Sequence, residues 1–143
     1  MKQIKLLFFF LFIIIACNKK EITDENTELP GMVSFDYKFG GESLKHVIIK
    51  NNKDFNKSSV RGHSNGYNVS IDASDQSMRI SIGYTIDGNS KGLSLLFNGK
   101  SYNSSNILQN VFIDRVTPPF NGYFSGSFDG IQISNGIIED VSY

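Results

Sequence analysis

Cysteine, tryptophan and excess charge are what this sequence lacks. Its 143 residues include one cysteine and no tryptophan, and 14 basic residues balance 14 acidic ones. One cysteine cannot form a disulfide within the chain, so a disulfide-stapled fold is excluded. Balanced charge excludes a nucleic-acid binder that works by neutralising phosphates. The length fits one domain of ordinary size and is too short for a TIM barrel or an α/β-hydrolase.

Long apolar runs are also absent, except at the N-terminus. Fourteen of the first seventeen residues are apolar, and residues 6–15 form an unbroken apolar run after Lys2 and Lys5. As a helix, ten residues span about 15 Å, which is half the thickness of a bilayer core. A charged start, a short apolar core and a small residue before the cleavage point predict a secretory signal peptide over residues 1–16, cleaved after Ala16.

The end of this segment resembles a known motif. The four residues Ile14, Ile15, Ala16 and Cys17 are similar to the lipobox of bacterial lipoproteins. The resemblance implies that Cys17 receives a diacylglyceryl group, that the peptide before it is removed, and that the new amine is acylated. Two or three acyl chains anchor a protein stably, whereas one gives only marginal binding. The alternative is an ordinary signal peptide in which Cys17 falls by chance.

Residues 17–30 are predicted to be a flexible tether that begins at the lipidated cysteine. Residues 18–30 contain two basic and four acidic residues, and a stretch this polar buries too little surface to fold. Asn18 directly after the cysteine resembles the outer-membrane sorting signal of lipoproteins. Lys19, Lys20 and Glu21 loosely resemble the surface-export signals of Bacteroidota lipoproteins. A solvated linker without sorting content is the alternative.

Apolar and polar residues alternate through residues 31–143, which we predict to form a single all-β domain. Alternation at period two places one row of side chains on one face of a half-buried strand. The apolar rows are Val33, Phe35, Tyr37 and Phe39; Tyr67, Val69, Ile71 and Ala73; Met78, Ile80, Ile82 and Tyr84; Leu93, Leu95 and Phe97; Val111 and Ile113; Phe124 and Phe128; Ile131 and Ile133; and Ile137, Val141 and Tyr143. This pattern predicts a small antiparallel sandwich or a partly open barrel of about eight or nine strands.

Dipeptides that accept a positive φ separate these rows. They are Gly40-Gly41, Asp87-Gly88, Asn98-Gly99, Asp129-Gly130 and Asn135-Gly136. The dipeptides at Asn98 and Asn135 lie between apolar rows and are predicted to be hairpin turns. Residues 44–50 are predicted to be a more buried strand, and residues 104–109 a helical turn or a bulged strand. The prolines at 118 and 119 must interrupt the ladder, because proline donates no hydrogen bond.

The C-terminal third carries a second resemblance. Residues 122–128 (GYFSGSF) followed by residues 131–136 (IQISNG) are similar to the closing hairpin of small Bacteroidota lipoproteins of unknown function. Ser134 stands where threonine is common in that family. The resemblance implies a β-rich lipoprotein domain. It supplies no activity, so no site residue is carried over from it.

Residues 62–66 match the Gly-x-Ser-x-Gly nucleophile elbow, with Ser64 in the place of the nucleophile. The elbow needs a helix after the serine and a histidine later in the chain. Here the following residues alternate as a strand, and the two histidines, His46 and His63, both precede Ser64. We therefore interpret the motif as a glycine-rich connection between strands, and we predict no catalytic residue.

No metal site and no cofactor are predicted. The two histidines fall short of the three or four spaced ligands of a zinc site. A calcium loop beginning at Asp87 would place Lys91 inside its ring of ligands, where a positive charge is disqualifying. Asp72 and Asp75 flank a turn, and we interpret them as part of a solvated loop rather than as a calcium site.

The aromatic residues divide by position. Those predicted to lie in the core are Phe35, Phe39, Phe97, Phe124 and Phe128. Those predicted to lie in or beside loops are Phe55, Tyr102, Phe120 and Tyr123. Loop aromatics stack on sugars, seat a partner, or plug the core beneath a loop. The absence of tryptophan weakens the carbohydrate-binding interpretation.

Together these observations predict a lipid-anchored outer-membrane or cell-surface lipoprotein, periplasm-facing or surface-exposed, whose β-domain has a non-catalytic binding or structural role. Glu139 and Asp140 are adjacent on a strand and point to opposite faces, so they do not form a glycosidase pair. The predicted partner is the membrane, through the lipid on Cys17, with an unidentified protein or glycan and no nucleic acid. The alternatives are a periplasmic inhibitor or immunity lipoprotein that binds one protein, and a small hydrolase or accessory subunit of a glycan-processing system.

Overall fold

The structure is a computed structural model that describes residues 31–52 and 58–143, with residues 104–109 described by their backbone. The predicted signal peptide, the cleavage site at Ala16, the lipidated Cys17 and the tether to residue 30 lie outside the described residues. The loop aromatic predicted at Phe55 lies outside them as well.

The described residues form nine strands and contain no helix, which confirms the all-β prediction. Alternation of branched and aromatic residues with polar ones suits a pleated sheet that has one buried face. The strands are β1 (Met32–Phe39), β2 (Lys45–Lys50), β3 (Ser58–Ser64), β4 (Asn68–Asp75), β5 (Met78–Thr85), β6 (Lys91–Phe97), β7 (Lys100–Ile113), β8 (Phe120–Phe128) and β9 (Ile131–Val141).

All neighbouring strands are antiparallel, in the order β2-β1-β9-β8-β7-β6-β5-β4-β3. β7 belongs to both layers, because its first residues pair with β6 and its last residues pair with β8. We call β2-β1-β9-β8 and the end of β7 sheet A, and the start of β7 with β6-β5-β4-β3 sheet B. The register shifts between Ser104 and Gln109. Of the two interpretations of residues 104–109, the bulged strand is therefore confirmed and the helical turn is wrong.

The core lies between the inner faces of the two sheets, in the arrangement of a small sandwich that is not closed into a barrel. The ring of Tyr37 on sheet A meets the ring of Phe97 on sheet B edge-on, with centroids 5.6 Å apart. Phe120 on sheet A packs against Gly62 on sheet B, where an added Cβ would lie only 2.6 Å from its ring. Burying large apolar side chains in this way supplies the main stabilisation of the fold.

Two bulges in β9 overturn part of the predicted turn pattern. Asn98-Gly99 does form a two-residue hairpin turn, with φ of 49° and 77°. The prediction for Asn135-Gly136 is wrong: the hairpin turn between β8 and β9 is Asp129-Gly130, and Asn135 lies inside β9 with a φ of 50°. Asp140 has a φ of 48° as well.

Each bulge inserts one residue into β9 and reverses which side chains face the core. The pairing of β8 with β9 shifts once between Phe124 and Gly126 and again between Phe120 and Gly122. As a result Ile133, Ile138 and Val141 are buried, although they do not share one parity. Ile137 and Tyr143 were predicted to face the core with Val141 and are exposed instead.

Five further predictions of burial are wrong, each because the strand position was misjudged. Tyr67, predicted to lie in the core row of β4, precedes that strand and is 79% exposed. Residues 44–50 form an edge strand rather than a buried one, since β2 ends the strand order and only Ile49 is fully buried. Tyr102 and Phe120 lie in strands and are buried, not in loops. Phe39 is exposed at the end of β1.

Candidate functional site

The outer face of sheet A carries an exposed, largely apolar row that crosses all five of its strands. Its members pair directly with one another from β2 to β7: Ile48, Ser34, Ile137, Tyr123 and Phe112. The four large side chains are half exposed, at 51% for Ile48, 50% for Ile137, 50% for Tyr123 and 41% for Phe112. We call these five residues the cross-strand row. An apolar strip of this length on an outer face is typical of an interaction surface.

The outer face of sheet B also has a row of directly paired residues that crosses its five strands, and every residue in that row is polar. The row there runs from β3 to β7 as Arg61, Asp72, Ser81, Ser94 and Asn103, again paired strand by strand. Both sheets have the same pleat and cover the same core, so the fold does not require an apolar outer face on either. The difference between the two outer faces therefore points to sheet A as the face that contacts something else.

The aromatic end of the cross-strand row is a stack of rings. Phe112 and Tyr123 lie nearly parallel, with 21° between their planes and centroids 5.3 Å apart. Tyr84 meets Phe112 edge-on from β5, at a centroid distance of 6.2 Å. The stack therefore covers one ring face of Phe112 and one ring face of Tyr123. Half-exposed rings of this kind offer a large apolar contact area to a partner.

Ser34 forms a recess near the middle of the cross-strand row. It is only 7% exposed, because it is a small residue on β1 between Ile48 and Ile137 on the neighbouring strands. Among the described residues, none forms a hydrogen bond with its hydroxyl. A buried hydroxyl without a partner costs about 1–3 kcal/mol. The recess therefore holds a polar group that a bound surface could satisfy.

A polar cluster of Asp36, His46 and Asn135 borders the cross-strand row on one side. Asp36 accepts hydrogen bonds from Nδ1 of His46, at 2.6 Å, and from Nδ2 of Asn135, at 2.8 Å. The bulge in β9 places Asn135 within reach of β1. These hydrogen bonds, first that of Asn135 and then that of His46, hold the pKa of Asp36 below its ordinary value. Each of the two carboxylate oxygens of Asp36 already accepts one hydrogen bond.

The opposite border of the row carries charges of both signs. A depression of about 210 Å³ lies there, lined by Met32, Lys50, Glu139 and Asp140. The prediction that Glu139 and Asp140 lie on opposite faces is therefore wrong, because the second bulge, where Asp140 has a φ of 48°, breaks the alternation. Met32 pairs with Lys50 on one side and with Glu139 on the other, so these residues form the next rung of the sheet. An apolar centre between polar borders is the usual layout of a protein interface.

The residues singled out from the sequence are not brought together. His46 lies on the outer face of sheet A and His63 on that of sheet B. Ser64 ends β3 and is followed by a turn and then by β4, so no strand-to-helix elbow forms. In the described part of the chain, no three His, Cys, Asp or Glu side chains cluster closely enough to hold a metal ion.

The acidic residues considered for calcium have local partners instead. Asp75 accepts hydrogen bonds from the backbone of Ser77 and Met78, and so closes the turn between β4 and β5. Asp72 accepts a hydrogen bond from the hydroxyl of Ser81 and lies 3.5 Å from the guanidinium of Arg79. Hydrogen bonds lower the pKa of Asp87, chiefly the one donated by the backbone of Asn89 within the same turn.

The comparisons with known proteins assign the chain to no family. No protein-family model, curated protein or solved structure matches it. The described residues include no helix that could span a membrane. The resemblances of residues 14–17 and of the C-terminal strands to lipoproteins stay predictions.

Proposed function

We propose that this chain is a lipid-anchored, non-catalytic binding protein of the outer membrane or the cell surface. Its β-domain binds a partner through the cross-strand row on sheet A. The observation that carries the binding role is the contrast between that half-exposed apolar row and the wholly polar row on sheet B. The anchor rests on the apolar run of residues 6–15 and the lipobox resemblance that ends at Cys17.

A protein partner is favoured over a glycan. The ring faces of Phe112 and Tyr123 are turned toward each other, and the Asp36 carboxylate is already hydrogen bonded to His46 and Asn135. A glycan would need open ring faces and free polar groups, and the stack removes one face of each ring, whereas the half-exposed apolar row suits apolar side chains of a protein. The same observation supports an inhibitor or immunity lipoprotein as a second candidate, because such a protein also binds one protein.

Cys17→Ser tests the anchor. In a bacterial host fed labelled palmitate, we expect the full chain to be labelled and to sediment with the outer membrane. The variant should lose the label completely and leave the membrane fraction, because serine cannot form the thioether that holds the lipid. Ser34→Ala serves as the control and should keep both properties. Label that survives Cys17→Ser contradicts the anchor.

A photo-crosslinking residue at Tyr123 tests the binding role. We expect the full chain carrying Tyr123→p-benzoylphenylalanine to give a discrete adduct with a protein in intact cells on illumination. The matched control carries the same residue at Leu96, which is 41% exposed on the outer face of sheet B. Equal yields from the two positions would contradict the assignment of sheet A as the binding face.

A further inference from the structure

We propose that the partner of the cross-strand row is a second copy of this chain, so that two sheets A pack face to face about a two-fold axis that runs along β9. This inference rests on the proposed function, because it names the occupant of the same binding face. We place the axis over β9 because it is the middle strand of sheet A in the order β2-β1-β9-β8-β7. An isologous dimer needs a surface that is complementary to itself.

An axis along β9 brings unlike members of the row together. Ile137 lies on the axis and meets Ile137 of the second copy. Ser34, one strand to one side, meets Tyr123, one strand to the other side. Ile48, two strands out, meets Phe112. Twisted sheets pack at about 30° to each other, so the axis departs from the direction of β9 by about 15°. At a strand spacing of about 4.8 Å this offsets Ser34 from Tyr123 by about 2 Å and Ile48 from Phe112 by about 5 Å along the strands.

The paired members are complementary in size and in hydrogen bonding. Ser34 is the recess of the row, and Tyr123 is one of its most exposed side chains. The Ser34 hydroxyl, which no described residue binds, would face the phenol hydroxyl of Tyr123, which both donates and accepts. An axis along the row itself would instead set Ser34 against Ser34 and Tyr123 against Tyr123. The recess would then meet a recess, so the axis along β9 fits better.

The axis along β9 also brings charged residues of the border rung together. Lys50 follows Ile48 by two residues and Asp114 follows Phe112 by two residues, so they stand at opposite ends of that rung. The axis along β9 therefore sets Lys50 of each copy on the same side as Asp114 of the other. The Asp114 carboxylate also contacts Arg115 and accepts a hydrogen bond from the backbone of Asn121. Glu139, in the middle of the same rung, would meet Glu139. This like-charged pair weakens the dimer and supplies a distinctive test.

The direction of the chain in sheet A is also compatible with a two-fold axis along β9. Residue 31 precedes β1 at the end of sheet A that carries this border rung. Rotation about an axis along the strands leaves both copies with that end on the same side. Two chains anchored through their N-termini in one membrane then begin their tethers at the same end, whereas rotation about the row would place these ends on opposite sides.

The face is small, so the dimer depends on the membrane. Five strands at about 4.8 Å spacing give a row of about 19 Å. Specific interfaces bury roughly 1,200 Å² or more in total, and a row of this length offers a small contact. Confinement of both copies to one membrane raises their effective concentration and compensates for the weak contact. The association is therefore measured on membranes with the full chain.

Site-specific crosslinking tests the dimer. In membranes that contain the full chain, we expect Ile137→Cys to give a product of twice the chain mass with a short bismaleimide, because this position lies on the axis. Leu96→Cys on sheet B is the matched control, and the wild-type chain reports any reaction of Cys17. Glu139→Gln, added to Ile137→Cys, should raise the yield roughly two- to fivefold by removing the like-charged pair.

The outcomes separate this inference from the proposed function. A yield from Ile137→Cys no higher than that from Leu96→Cys overturns the dimer. A Tyr123 adduct whose mass matches a different protein also overturns it, while leaving the binding face in place. The absence of any Tyr123 adduct overturns both. Crosslinking at Ile137 that Glu139→Gln lowers would contradict the axis along β9.

Discussion

Phe120→Ala should lower the free energy of unfolding by about 3–5 kcal/mol, the usual cost of removing a fully buried ring from a core. Phe120 has no exposed surface, and its ring packs against Gly62 of sheet B and lies 6.3 Å from the ring of Tyr143. It therefore joins the two layers at a point where β3 contributes no side chain. Urea denaturation followed by far-UV circular dichroism measures the change, since the chain has no tryptophan.

Phe112→Ala is the matched control, because it makes the same chemical change on the outer face. Phe112 is partly exposed and loses mainly its stack with Tyr123, which is worth about 1 kcal/mol. Equal losses from the two substitutions would contradict the packing of Phe120 between the sheets. The comparison also separates a residue that holds the fold from one that we assign to binding.

The strand content could be predicted because it depends on local alternation alone. Val33, Phe35 and Tyr37 follow the period of two and are buried as predicted. The two-residue turn at Asn98-Gly99 could also be predicted, because both residues accept a positive φ. Where a strand is regular and its turn is tight, short-range chemistry decides the structure.

The same chemistry misled the prediction inside β9. Asn135-Gly136 has the composition of a hairpin turn, yet it forms a bulge because β9 continues to pair with β1 and β8 on both sides. A bulge and a turn use the same left-handed backbone conformation at Asn135. Only the neighbouring strands distinguish them, and no local pattern contains that information.

The candidate site could not be predicted for a related reason. Its members come from five strands and lie far apart in the sequence, so the row exists only once register is fixed. The alternation also predicts that Ile137 faces the core, whereas the bulge at Asn135 turns it to the surface. Tyr123 was singled out as a possible contact residue, but as a loop residue rather than as part of β8. Asp36 and Asn135, 99 residues apart, meet for the same reason.

Gly136→Ala should destabilise the domain by about 3 kcal/mol, the upper end of the usual cost of overpacking. A Cβ at Gly136 would collide with the carbonyl oxygen of Phe124 and would lie 2.7 Å from its ring. The backbone oxygen cannot move without breaking the ladder between β8 and β9 at the bulge. Gly92→Ala is the control, because Gly92 lies in β6 with nothing within 4 Å of an added Cβ.

Gly92→Ala should change stability by no more than about 1 kcal/mol, in the stabilising direction, because alanine lowers the entropy of the unfolded chain. The same urea titrations compare the two variants. A Gly136→Ala variant as stable as the wild type would mean that β9 pairs with β8 in a different register. Ile137 would then turn toward the core, and the cross-strand row would lose its central residue. That result would also contradict the binding face proposed for sheet A.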